Sequence, residues 1–114
     1  MSSRQALISV ISPCYNAEAF VGSMLESLIA QSFDLWECVV VDDGSTDRSA
    51  DIVAEFVKLD SRIRLVRAER RGPSAARNIG FMESSTETSF VTFMDADDEY
   101  EPGALADLTE AASR

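Results

Sequence analysis

The sequence contains no histidine and only two cysteines, Cys14 and Cys38. The absence of imidazole excludes a Ser/His or Cys/His catalytic pair and any histidine metal site within these residues. Cys14 follows the first predicted strand and Cys38 lies near the beginning of the second, which in a parallel sheet places them too far apart for a disulfide. Two free thiols are typical of a reducing compartment. Any chemistry carried by this chain therefore uses oxygen ligands.

Basic residues and long apolar runs are also scarce. Ten Lys and Arg stand against twenty Asp and Glu, a net charge of -10, which would repel nucleic-acid phosphates unless a cation intervenes. The apolar segment 6–11 is too short for a signal-peptide core or a membrane span. We therefore expect no nucleic-acid partner and a cytoplasmic location, with any membrane association carried by other parts of a longer parent protein.

Short apolar runs alternate along the chain with segments of helical periodicity. The 114 residues, 46% of them hydrophobic, suffice for a single domain over residues 1–114. The pattern predicts strands at 7–12, 36–41, 63–66 and 90–94, and helices begun by Asn16, by Ser45 or Thr46, by Pro73 and by Pro102. Such alternation gives right-handed crossovers between parallel strands. The predicted fold is an α/β three-layer sandwich with a mostly parallel sheet.

Three polar segments follow predicted strands directly: 13–16, 42–45 and 95–98. Because the carboxyl ends of parallel strands share one edge of a sheet, we expect the three segments to converge there. Ligands of open α/β sheets bind at that edge, where helix N-termini also present free N–H groups. The convergence predicts a binding site.

Asp95 and Asp97 stand two residues apart at the end of the fourth predicted strand. On an extended strand their carboxylates would project to one side, where they repel each other by about 4 kcal/mol at an effective dielectric near 20. A divalent cation, Mg²⁺ or Mn²⁺, would reverse that repulsion and take phosphates as further ligands. An acidic solvated loop is the structural alternative. A calcium-binding loop is excluded, because Tyr100 and Ala106 occupy the positions of its glycine and bidentate glutamate.

Other residues of the polar segments offer nucleotide contacts. Asp43, with Gly44 allowing a sharp turn, can accept a hydrogen bond from a nucleobase imide, whereas Asp42 fits a structural role at the strand end. Tyr15 offers a flat face to a base or ribose, or simply covers the sheet edge. Arg77 could meet a phosphate or pair with an aspartate. Arg70, Arg71 and Arg77 are the only basic cluster, and for Arg70 a solvated arginine is the structural alternative.

Four segments in this order resemble the inverting family 2 glycosyltransferases with the A-type nucleotide-sugar-binding fold: ISVISPCYN (8–16), VVVDDGSTD (39–47), GPSAARN (72–78) and DADD (95–98). The similarity implies a Rossmann-like nucleotide-diphospho-sugar transferase half-domain. Cys14 replaces the threonine that is usual in the first segment, a small change that leaves the turn intact. The residues implied to bind the nucleotide-sugar are Pro13, Tyr15, Asp43, Arg77 and Asp95, with Asp97 as ligand of Mn²⁺ or Mg²⁺.

The resemblance further implies transfer of sugar from a nucleotide-diphospho-sugar donor to the hydroxyl of a saccharide, lipid or other acceptor. Complete catalytic domains of this family are longer than this chain, so we expect an amino-terminal part of such a domain. No catalytic base is identified here, and we expect it beyond Arg114. A sheet interrupted at this point would leave an open strand edge, which favours self-association.

Two other function classes are compatible with parts of the pattern. A non-catalytic nucleotide-binding or metal-binding module could share the same architecture. A receiver-type signalling domain also combines an α/β fold with clustered aspartates and Mg²⁺, but it requires a lysine near the site. The only lysine, Lys58, falls inside a predicted helix.

Overall fold

The computed structural model describes residues 6–112, which form four strands and four helices in strict alternation. In chain order they are β1 (Ile8–Cys14), α1 (Val21–Ile29), β2 (Trp36–Asp43), α2 (Ser49–Leu59), β3 (Ile63–Ala68), α3 (Pro73–Glu83), β4 (Phe90–Phe93) and α4 (Ala104–Ala112). All four strands coincide with predicted ones to within two residues at either end.

The strands form one parallel sheet in the order β3-β2-β1-β4. The chain first builds outward from β1 through β2 to β3, then returns to place β4 on the other side of β1. The strand order therefore reverses between β1 and β4, which opens a crevice at the carboxyl ends of these strands. This reversal positions the site.

Helices cover both faces of the sheet. Alternate residues of the central strands, among them Val10, Cys38 and Val40, pack in one core with α1, α2 and Leu105 of α4. On the opposite face Val39 and Val41 pack against Ala76 of α3. Strands covered on both sides read as continuous apolar runs, which is why β1 and β2 are nearly unbroken in the sequence. The predicted three-layer α/β sandwich is confirmed.

Helix α3 lies unusually close to the sheet at Gly80. A Cβ added there would lie 2.4 Å from Ile11 Cγ2 and 3.2 Å from Val41 Cγ2. The missing side chain therefore lets the helix backbone rest directly on β1 and β2. Because Arg77 stands three residues earlier on the same helix, this contact also fixes the height of Arg77 above the sheet.

Two of the predicted helix starts, those of α1 and α2, are wrong. Asn16 has a left-handed backbone (φ 48°), and its side-chain oxygen accepts the Thr46 N–H at 2.8 Å. Ser45 Oγ in turn accepts the Asn16 N–H at 2.9 Å. These residues tie the β1–α1 and β2–α2 loops together instead of capping the helices, which begin at Val21 and Ser49. The last helix begins at Ala104, two residues after Pro102.

Both thiols are free and buried. Cys38 lies opposite Val10 on β1, so Cys14 stands four residues further along that strand, about 13 Å away at 3.3 Å per residue. The expectation of no disulfide is confirmed. Burial raises the pKa of Cys14 to about 11 and that of Cys38 to about 12.

Among the helices within residues 6–112, none is long and apolar enough to cross a bilayer.

Candidate functional site

Two adjoining cavities lie at the carboxyl ends of β1, β2 and β4. One, of about 210 Å³, has Asp43 and Arg70 in its wall, and the other, of about 340 Å³, is bordered by Asp97. They share Pro13, Tyr15 and Asp95. The two cavities together bring five of the six predicted site residues to one crevice.

Three carboxylates meet at the outer end of this crevice. Asp95, Asp97 and Asp98 are exposed, and each offers an oxygen within 4.8 Å of those of the other two. We call these residues the acidic cluster. In an octahedral site with metal–oxygen distances of about 2.1 Å, ligand oxygens lie at most about 4.2 Å apart, so modest side-chain rotations would bring the three onto one cation. The donor set fits Mg²⁺ or Mn²⁺.

The backbone conformation that brings the acidic cluster together differs from the one predicted from the sequence. The expectation was an extended strand presenting Asp95 and Asp97 on one side. Instead, β4 ends at Phe93 and the segment 95–98 turns, with the Asp98 N–H donating to the Asp95 carbonyl at 3.0 Å. The turn draws in Asp98, which had not been singled out as a ligand. A turn-closing D-x-x-D pattern after the strand was the available signal.

Asp43 is almost completely buried, at 2% exposure, yet remains ionised. Oδ1 accepts the Arg71 N–H at 2.9 Å, while Oδ2 accepts the Gly72 N–H at 2.9 Å and Arg70 Nη1 at 2.7 Å. Burial by itself raises the pKa of Asp43, but these hydrogen bonds outweigh it and hold the pKa below its ordinary value of 3.8. Asp43 therefore organises the β3–α3 loop from the end of β2.

Arg70 is more than a solvated side chain, the structural alternative considered for it. Besides its bond to Asp43, its guanidinium lies 3.7 Å from the centre of the Tyr15 ring, a cation–π stack. Gly44 permits this close approach of the Arg70 backbone. Its φ of 78° suits glycine, and an added Cβ would lie 3.0 Å from the backbone nitrogen of Arg70. No pattern in the sequence predicts this contact.

Arg77 reaches the acidic cluster from helix α3. Its Nη2 lies 3.8 Å from Asp95 Oδ1, with side-chain exposures of 39% and 64%. A pair this exposed contributes little to stability, at most about 1 kcal/mol. The guanidinium can therefore leave Asp95 at low cost when an anion approaches. The predicted proximity of Arg77 to the aspartates is confirmed.

The floor of the crevice is a fixed scaffold. Asp47 accepts the Glu18 N–H at 3.1 Å and the Ser49 N–H at 2.9 Å, and Ser49 Oγ accepts the Ala17 N–H at 2.8 Å. Burial raises the pKa of Asp47, but the bonds from Ser49 and Glu18 lower it to a net value below 3.8. Asp42 is buried opposite Cys14.

The opposite edge of the sheet holds a larger cavity of about 590 Å³, beside Trp36 and Arg62. The Arg62 guanidinium stacks on the Trp36 ring at 3.9 Å and also bonds the Asp60 carboxylate at 2.7 Å. The charge of Arg62 is thus already paired, and the cavity lies at the amino ends of the strands. Chemistry, not volume, therefore favours the crevice as the functional site.

Lys58 pairs with Glu55 at 3.2 Å near the end of α2, which removes the basis of a receiver-type site.

Comparison with known proteins agrees with this geometry. The family model for glycosyl transferase family 2 matches residues 9–114. The chain belongs to this family. It is 46% identical over 91 residues to the glycosyltransferase GlyA of Streptococcus pneumoniae serotype 4, a match that covers 80% of this chain and 13% of GlyA. The family recognised from the four sequence segments is thereby confirmed.

Solved structures of similar proteins share the fold. S. aureus TarS 1–349, in complex with UDP, superposes with a TM-score of 0.83 at 34% identity, covering 93% of this chain and 32% of TarS. The mannosyltransferase PcManGT from Pyrobaculum calidifontis, in complex with GDP-Man and Mn²⁺, superposes with a TM-score of 0.86 at 27% identity, covering 96% and 33% respectively. The chain therefore spans about a third of each of these two solved chains, and 19% of the longer TarS chain.

Proposed function

We propose that this chain is the donor-binding part of an inverting, metal-dependent glycosyltransferase that uses a nucleotide-diphospho-sugar. The observation that carries the proposal is the placement of the acidic cluster beside the cavity walled by Tyr15 and Asp43. A diphosphate joins a nucleoside to a sugar, and here a cation site and an aromatic, hydrogen-bonding pocket share one crevice. Inversion is implied by the resemblance to the family.

The acidic cluster would hold Mn²⁺ or Mg²⁺, with Asp97 as the principal protein ligand and Asp98 within reach. Such an ion supplies charge stabilisation to the departing nucleoside diphosphate. A net charge of -10 would otherwise repel the donor. Asp95 borders both cavities, so its carboxylate is placed to accept hydrogen bonds from ribose or sugar hydroxyls. The Mn²⁺ in the PcManGT complex supports this assignment.

The nucleoside end of the donor would occupy the inner cavity. Pro13 and Tyr15 present apolar and aromatic surface there, and Asp43 offers a carboxylate that stays ionised. The Asp43 carboxylate accepts the backbone N–H groups of Arg71 and Gly72 and one N–H of Arg70, so an imide donor of the base would take the position that the Arg70 side chain fills. Arg77, freed from Asp95, would bond the donor phosphates through its planar fork of N–H groups.

The acceptor side of the reaction belongs to another part of the protein. We place the base that deprotonates a saccharide, lipid or other hydroxyl acceptor outside this chain, since the carboxylates of the crevice already serve the donor. If this chain binds a nucleotide-sugar with Mn²⁺ yet transfers no sugar, it acts on its own as a binding module. Transfer catalysed by this chain alone would contradict that division of roles.

We also propose that the free edge of β4 supports self-association of this chain. Within residues 6–112, β4 pairs with β1 and with no other strand, and Val91 and Phe93 are exposed on the face that carries α3. Phe81 (55%) and Met82 (79%), at the end of α3, extend the apolar surface. An open edge flanked by apolar side chains is a template for pairing with a second copy.

Calorimetric titration tests the donor-binding proposal. Uridine, guanosine and thymidine diphosphates are titrated into the protein with and without Mn²⁺. We expect at least one of them to bind, more tightly when Mn²⁺ is present, because the cation offsets repulsion between the acidic cluster and the diphosphate. Absence of binding by all three, or binding that is indifferent to Mn²⁺, would overturn the proposal.

A further inference from the structure

The side chain of Arg70 makes the two contacts that a nucleobase would need in the inner cavity. Its guanidinium stacks on Tyr15 at 3.7 Å and donates to Asp43 Oδ2 at 2.7 Å. A guanidinium is planar and carries N–H donors at its rim. A base with an imide is also planar and carries an N–H donor at its rim. Arg70 thus resembles the ligand in shape and in hydrogen bonding.

The two cannot use these contacts together. Stacked groups lie about 3.5–4 Å apart, so no ring can enter between Tyr15 and a guanidinium already at 3.7 Å. We propose that Arg70 competes with the nucleobase for Tyr15 and Asp43, so that donor binding requires its side chain to swing away. This inference rests on the proposed function of the crevice.

The surrounding structure allows such a movement. The Arg70 side chain is 51% exposed, so its guanidinium can pass into water without crossing a packed layer. The loop itself stays in place, because Asp43 also accepts the backbone N–H groups of Arg71 and Gly72. Displacement of Arg70 would therefore free the Tyr15 ring without unfolding the loop that shapes the cavity. The competition makes nucleoside binding weaker than it would be in a cavity that Arg70 did not occupy.

The test compares Arg70→Met with Arg71→Met. Each variant removes one positive charge from the same loop, but Arg71 bonds Asp43 through its backbone N–H, which methionine retains. Binding of each nucleoside diphosphate is measured with Mn²⁺ by calorimetry, and inorganic pyrophosphate with Mn²⁺ serves as a ligand without a base. Arg70→Lys, which keeps the charge and loses the planar group, is a second variant.

We expect Arg70→Met to bind the diphosphate preferred by the native protein about three- to tenfold more tightly than Arg71→Met does, the range expected from one cation–π contact and one half-exposed ion pair. Pyrophosphate should bind both equally, and Arg70→Lys should fall between native and Arg70→Met. Weaker or equal nucleotide binding by Arg70→Met, or the same gain with pyrophosphate, would overturn the competition while leaving donor binding intact. If the native protein binds no diphosphate, the proposed function fails and the competition fails with it.

Discussion

Gly80 offers the sharpest test of how helix α3 is seated on the sheet. Substitution by alanine would place a methyl group 2.4 Å from Ile11 Cγ2, in a contact walled on its other side by Val41 at 3.2 Å. Both neighbours are fully buried in central strands, so neither can move into solvent. Overpacking of this kind costs about 1–3 kcal/mol, while replacing a helical glycine by alanine returns about 1 kcal/mol. We expect a net loss of up to about 2 kcal/mol in the free energy of unfolding.

Urea unfolding followed by circular dichroism measures this change, with Gly22→Ala as the matched control. Gly22 is also helical, but its added Cβ would meet Ile52 and Phe56 at an ordinary 3.9 Å. That variant should keep its stability or gain up to about 1 kcal/mol. Ile11→Leu removes the Cγ2 methyl, so the loss caused by Gly80→Ala should shrink in the double variant. A Gly80→Ala protein as stable as Gly22→Ala would refute the close seating of α3.

Two further predictions concern the loops and the sheet edge. Because the folded-state pKa of Asp43 lies below 3.8, its carboxylate stabilises the fold above that pH, and the contribution disappears as the pH falls through the folded pKa. Asp43→Asn should therefore cost about 1–3 kcal/mol at pH 7 and progressively less below about pH 4; a difference independent of pH would count against the role of Asp43. Light scattering over a concentration series should show self-association that Val91→Lys weakens and Leu59→Lys, a substitution at a residue 81% exposed on α2, does not. Monomers at every concentration would dismiss that proposal.

Much of the fold could be predicted because its signals are local. The strands β1 and β2 are buried on both faces, so most of their positions are occupied by apolar residues that can be recognised in the sequence. The position of the acidic cluster then follows from strand order, since residues after a strand of a parallel sheet must emerge at its carboxyl edge. Pro13, Tyr15, Asp43 and Asp95 were placed correctly in one crevice on this ground alone.

The contacts that the sequence did not reveal depend on loop conformations set by distant partners. Arg70 reaches Tyr15 because Gly72, at φ 101°, and the Asp43 carboxylate shape the β3–α3 loop around it. Asn16 looked like a helix cap, but its side chain is used by Thr46 of another loop, 30 residues away. Hydrogen bonds between loops leave no periodicity, so neither pairing could be inferred from spacing.

The central claim is that Asp97 holds a cation which joins the protein to the donor diphosphate. The most direct measurement is the increase in nucleoside diphosphate affinity that Mn²⁺ produces, determined for native protein, Asp97→Asn and Asp107→Asn. Asp107 loses the same charge on α4. We expect Mn²⁺ to strengthen binding at least tenfold, about 1.4 kcal/mol, in the native protein and in Asp107→Asn, and to have little effect in Asp97→Asn. An undiminished Mn²⁺ effect in Asp97→Asn would contradict the claim.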